Sequence, residues 1–144
     1  MRLQLRTDYA MRMLLHLAVS DGTPQPVGAV AEAYDISEHH LAKVAQRLRE
    51  LGYLATVRGR RGGFVLAADP GSIRVGDVVR QLEDLELVEC FDRTTNQCAI
   101  TGPCRLRGVL REARERFLEV LDAQTLADLI ADREPALVRI LAPR

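Results

Sequence analysis

Apolar and polar positions follow a helical period through the first third of the chain. In TDYAMRMLLHLAVS, Leu14, Leu15, Leu17, Ala18 and Val19 supply an apolar face, and Thr7 stands where an N-cap belongs. This predicts a first helix from Asp8 to about Ser20. DGTPQP (21–26) is a loop by composition. Val27, Val30, Ala31 and Tyr34, spaced i, i+3, i+4 and i+7, predict a short helix, and Asp35-Ile36 a brief turn. Ser37 then caps a helix running to about Leu51 and ended by Gly52. Two short helices joined by a tight turn form a helix–turn–helix.

The period then shortens. Tyr53–Val57 and Phe64–Ala67 are β-prone runs either side of the basic, glycine-rich turn RGRRGG (58–63), which predicts a hairpin. A hairpin after the second helix of a helix–turn–helix is a wing. Pro70-Gly71 closes this unit, and Val75 to about Leu82 is a linking helix. Residues 88–104 have no period and read as a loop. A long helix is expected over Pro103–Asp122, with Pro103 at its first position and Cys104 in its first turn. Leu106, Leu110, Ala113, Phe117 and Val120 form an a/d seam suited to pairing two copies. Thr125 and Asp128 resemble a capping box opening a final helix, TLADLIAD. The fold class is mainly α with a small β-hairpin wing: a winged helix–turn–helix domain (1–72), then a loop, a dimerisation helix and a C-terminal helix (73–144).

Composition adds bounds rather than elements. The 144 residues suit one compact domain plus an extension, and 47% apolar with 28% charged residues is ordinary for a soluble protein. No apolar run approaches the roughly 20 residues of a membrane span. The N-terminus is basic and then apolar, but Arg12 and His16 interrupt it and no cleavage site follows, so it reads as a helix of a cytoplasmic protein rather than a leader. No Ser/His/Asp or Cys/His arrangement, phosphate loop or paired carboxylates suggest an enzyme.

Net charge is zero, which excludes a protein that coats nucleic acid. The distribution is uneven, however. Residues 37–63 carry Lys43, Arg47, Arg49, Arg58, Arg60 and Arg61 against two acids, whereas 77–92 carry six acids against Arg80. A local basic patch suits docking to a phosphate backbone. On the Ser37–Leu51 helix, Leu41, Val44, Leu48 and Leu51 point inward. Ser37, His39, His40, Lys43 and Arg47 lie early or outward, where base edges and phosphates would be met. Arg58, Arg60 and Arg61 give the wing charge for a narrow groove of double-stranded DNA.

Cys90, Cys98 and Cys104 are the only cysteines, spaced C-x7-C-x5-C. An odd, clustered count is not a disulfide scaffold, and the two C-x2-C knuckles of a zinc ribbon are missing. Three thiols on one loop suit a soft-metal or iron–sulfur centre. Spacing alone leaves zinc, disulfide redox chemistry and incidental cysteines open.

TDYAMRML, ISEHHLAKVAQRLRELGYLATVRGRRGG, IRVGDVVR, LVECFD, NQCAITGPCRL and FLEVLDAQTLADL together span most of the chain. In these stretches the sequence resembles the winged-helix iron–sulfur regulators. The resemblance implies a homodimer on a palindromic operator and a cluster held by Cys90, Cys98 and Cys104, 4Fe–4S in preference to 2Fe–2S. It also implies repression that is lost when nitric oxide attacks the cluster. Asp8 matches an aspartate that completes the cluster from the other subunit. Taken alone, Asp8 is equally an acid favoured by a helix N-terminus. Two other branches compete, one sensing iron–sulfur status and one iron availability. The first pairs its cysteines with a later histidine, and this chain has none beyond His40.

Overall fold

A computed structural model describes residues 2–132 and 134–141. The order is α1 (Leu5–Ala18), α2 (Val27–Ala33), α3 (Glu38–Glu50), β1 (Leu54–Val57), β2 (Gly63–Leu66), α4 (Val75–Leu82), α5 (Arg105–Asp122), α6 (Leu126–Ile130) and α7 (Glu134–Leu141). Short 3-10 turns at Pro70–Ser72 and Glu89–Phe91 punctuate the connections. No helix among the described residues is long and apolar enough to cross a membrane.

The helix–turn–helix forms because three apolar faces converge. Ala10, Met13, Leu14 and Leu17 of α1 meet Val30 and Ala31 of α2 and Leu41, Ala45 and Leu48 of α3, all buried in one cluster. Each set recurs at helical spacing, so burying it removes apolar surface from water at little backbone cost. Between α2 and α3 the chain reverses at Asp35, which holds a left-handed φ of 53°. Gly52, with φ 83°, ends α3 and turns the chain into β1.

β1 and β2 pair antiparallel, with Leu54 opposite Leu66 and Val57 opposite Gly63. The wing is also tied to the loop before α2. Gln25 N–H donates to the Phe64 carbonyl (3.0 Å), and Phe64 N–H donates to the Gln25 carbonyl (2.9 Å). Glycine at 63 permits this approach, since a Cβ there would overlap the Gln25 carbonyl.

The core does not stop at the wing. Ile73, Val78, Leu82 and Leu126 belong to the same buried cluster as the α1–α3 residues. Val75 N–H donates to the Gln124 carbonyl (2.9 Å) and Leu126 N–H to the Ile73 carbonyl (3.0 Å), joining α4 to the end of α5 and the start of α6. Arg80 grips both carboxylate oxygens of Asp122, each at 2.5 Å, and Arg74 donates to the Asp122 carbonyl. This bidentate pair holds the Asp122 carboxyl below its ordinary range.

Four local expectations change. α1 starts three residues early, so Thr7 is not its cap. Thr7 N–H already bonds to the Gln4 carbonyl, and the side chain lies fully buried with its hydroxyl unpartnered. Ser37 occupies the N-cap of α3 without a side-chain bond. Cys104 is the N-cap of α5 rather than a first-turn residue, which leaves Pro103 outside the helix. α7 follows the predicted last helix. Its apolar positions Leu137, Val138, Ile140 and Leu141 are too few to show a period beyond the proline at 135. The Thr125–Asp128 capping box forms as expected.

Candidate nucleic-acid interface and cysteine loop

α3 presents its two faces as its period requires. Leu41, Val44 and Leu48 are buried, Leu51 is half-buried, and Ser37, His39, His40, Lys43 and Arg47 are all exposed. Arg47 reaches Glu50 at 3.5 Å, an exposed i,i+3 pair of little energetic weight. Arg58, Arg60 and Arg61 are exposed at the hairpin tip, where Gly59 takes a φ of 117°. The fold thus gathers Lys43 and Arg47 on one helix and three arginines on the wing that follows it. Sequence reasoning missed Arg6, which comes from the first turn of α1 to the edge of α3, beside His40, Lys43 and Arg47. Only tertiary packing makes this neighbourhood, so periodicity carried no signal for it.

The cysteines occupy three settings. Cys90 is buried in the 3-10 turn, Cys98 is half-buried in the loop, and Cys104 is half-buried at the α5 N-cap. All three are free thiols. The loop is ordered by its own polar side chains. Asp92 accepts bonds from Thr94 N–H (2.8 Å), Thr94 Oγ1 (2.6 Å) and Thr95 Oγ1 (2.6 Å), which hold its carboxyl down at about 2. Cys98 N–H donates to Asn96 Oδ1, and Thr101 Oγ1 donates to the Cys98 carbonyl. Gln97 N–H donates to Glu89 Oε1. The Arg114 guanidinium lies 4.9 Å from the Phe91 ring centroid, tying the Cys90 turn to α5.

This donor set fits an iron–sulfur cluster by its chemistry, being three unpaired, sheltered thiols on one loop. It is not drawn together: among the described residues no three of His, Cys, Asp and Glu lie close enough to hold a metal ion.

Asp8 does not join the cysteines in such a group. It pairs with Arg12 one turn on, accepting from Nη2 at 2.7 Å and Nε at 3.3 Å. The Arg12 guanidinium lies 5.9 Å from the Tyr9 centroid and 6.0 Å from that of Tyr34, and Tyr34 Oη donates to the Arg12 carbonyl. Burial pushes the Tyr34 phenol up to about 12, with Arg12 opposing. His16 packs edge-on to Tyr34 at 5.9 Å, and burial lowers its pKa. Asp8 therefore heads a chain of contacts ending at the C-terminus of α2.

The predicted seam divides. Leu106 and Val120 are more than 60% exposed, as is Val109, which the seam omitted. Ala113 is exposed, whereas Leu110 and Phe117 are half-buried.

A three-helix reading head with an exposed basic recognition helix and a basic wing defines a winged helix–turn–helix, DNA-binding transcriptional regulator, not an enzyme. The chain belongs to the Rrf2 family, described as iron-dependent transcriptional regulators, whose family model matches residues 3–132. It is 50% identical over 135 residues to the HTH-type transcriptional regulator NsrR of Geobacillus kaustophilus, covering 92% of each chain. Among solved structures it is similar to CymR, the global cysteine regulator of B. subtilis. That likeness has a TM-score of 0.75 and 28% identity, covering 92% of this chain and 98% of CymR. IscR of T. potens matches with a TM-score of 0.73 and 30% identity, over 94% of this chain and 90% of IscR.

Proposed function

We propose that this regulator is a repressor whose operator affinity is set by an iron–sulfur cluster on Cys90, Cys98 and Cys104, 4Fe–4S rather than 2Fe–2S, and that nitric oxide is its signal. The observation that carries the reading is the placement of three free thiols on one loop that runs directly into α5. The cluster, when bound, supplies an iron centre with which nitric oxide reacts.

The chain's own residues supply the rest. Two copies pair through Leu106, Leu110, Ala113, Phe117 and Val120, whose most exposed members have no partner within the described residues. A two-fold dimer sets two α3 helices on successive major grooves, about 34–36 Å apart, of a palindromic operator. Ser37, His39, His40 and Lys43 meet base edges there. Arg47 and the wing arginines neutralise phosphates or enter the minor groove. Asp8 of the partner subunit completes the ligand set. Drawing that carboxylate from Arg12 unpairs a guanidinium that rests on Tyr34, at the end of α2. Moving such a switch from 1:99 to 99:1 takes about 5.5 kcal/mol of differential stabilisation.

The test is anaerobic purification followed by gel-shift on operator DNA before and after nitric oxide. The expected result is a brown protein that binds tightly and releases DNA when nitrosylated. Equal affinities of the two forms overturn the reading. Three free thiols also suit a second reading, a thiol-redox or zinc-stabilised regulator, which a colourless protein with stoichiometric zinc would support.

A further inference from the structure

A groove of about 580 Å³ lies between the first turns of α1, the outer edge of α3 and the last turn of α4. The proposed switch does not use it. Its floor is Val44 and Leu82, Leu5 and Tyr9 add apolar wall, and Arg6, His40, Lys43, Arg47 and Gln81 supply the polar lining. Among the described residues no carboxylate lines it. Val44 and Leu82 lie deep, at 8% and 5% exposed, while the cations stand at the surface. Leu5, by contrast, leaves 55% of its surface in water. Arg6 and Lys43 make no ion pair among the described residues.

Two simple occupants fail. A DNA phosphate would satisfy the rim but has no apolar body to cover the floor. A neutral hydrocarbon would cover the floor but offer no counter-charge to Arg6 and Lys43. The volume falls within the roughly 300–1,000 Å³ of small-molecule sites. We propose that the groove binds a soluble amphipathic carboxylate, a medium-length hydrocarbon chain with its head on Arg6 and Lys43. Because His40, Lys43 and Arg47 belong to the face of α3 that meets DNA, the occupied groove and the bound operator are mutually exclusive. The occupant is a free molecule rather than a bilayer, since the deepest apolar atoms lie below the cations. The site makes no use of the cysteines, but Leu5, Arg6 and Tyr9 share the first turns of α1 with Asp8, so the binding test is run on the cluster-free protein, where its failure and that of the proposed cluster are read apart.

The test uses decanoate below its micelle concentration, with decanol as the neutral probe, on the full chain. Binding is followed by the methyl resonances of Leu5, Val44 and Leu82. The expected result is one saturable site per chain, with decanol at least tenfold weaker. Arg6→Ser and Leu5→Ser, both at exposed positions that leave the core intact, should each weaken decanoate at least tenfold. Saturating decanoate should raise the apparent Kd for operator DNA at least tenfold. Equal binding of decanol and decanoate overturns the proposal. So do shifts centred on Leu106, Val109 and Val120, a dimer whose groove admits neither molecule, or binding to anionic vesicles in place of the free acid.

Discussion

Replacing Gly63 by alanine tests how the wing is held. The added Cβ would overlap both the carbonyl carbon and the oxygen of Gln25 and stand 2.8 Å from the nitrogen of Pro26. These are backbone atoms, so no rotamer change relieves the clash, and the wing must move away from the 25–26 segment. The move breaks the two reciprocal Gln25–Phe64 bonds. At about 0.5–1.5 kcal/mol each, they are worth about 1–3 kcal/mol together. Alanine returns about 0.4–1 kcal/mol by restricting the unfolded chain. Mid-range values leave a net loss of about 1.3 kcal/mol (extremes about 0 and 2.6), or roughly 3–5 °C in Tm at this chain length. Urea melts at one protein concentration read that loss. Salt-dependent DNA binding reads the functional arm. Each phosphate that Arg58, Arg60 or Arg61 no longer neutralises lowers the slope of log K against log salt by about 0.9, so a displaced wing costs up to about 2.7. A Gly63→Ala protein with unchanged stability and unchanged slope would refute the anchoring argument. Lower stability with an unchanged slope would keep the anchor and remove the wing arginines from the DNA interface.

Four further outcomes follow from the same geometry. Gly108→Ala, at the end of the first turn of α5 where a Cβ meets nothing within 4 Å, should stabilise by up to about 0.5–1 kcal/mol in urea melts. Thr125→Ala removes the cap that receives Asp128 N–H and should cost about 1 kcal/mol by the same measurement. Asp122 should titrate below its unfolded value of about 3.9, and its carboxyl resonance should move back toward that value in Arg80→Met. Because its folded pKa is depressed, its contribution is present above the unfolded pKa and is lost as pH falls through the folded one. Asp8→Ala should weaken retention of the cluster, measured as iron lost to a chelator over time, while leaving the apo protein's thermal melt within a few degrees. An unchanged rate of loss would remove Asp8 from the ligand set.

Long periodic segments were legible because one face of each had to be buried. α3 and α4 emerged close to their expected bounds, and the RGRRGG turn located the wing. Helix starts were harder, because a cap is set by one residue's ψ and by which carbonyl its neighbours reach. Thr7 has a cap's chemistry, yet its N–H is committed to Gln4 and its side chain is in the core. The exposed polar face of α3 was visible in sequence because one helix holds it. The Arg6 groove was not, because it joins three elements. The cysteines were conspicuous as a set, but the setting of Cys98 depends on bonds to Asn96 and Thr101, and the turn before it on Asp92, short-range polar contacts that no period announces.

The continuity of the core through Ile73, Val78, Leu82 and Leu126 bears on how such regulators can be recombined. A chimera cut at residue 72 would separate these four side chains from Ala10, Leu14 and Leu48 and leave an apolar wound on both fragments. Transplanting residues 73–132 to another reading head therefore means transplanting a matched surface on α1 with them. The smallest exchangeable part is the whole chain through α6.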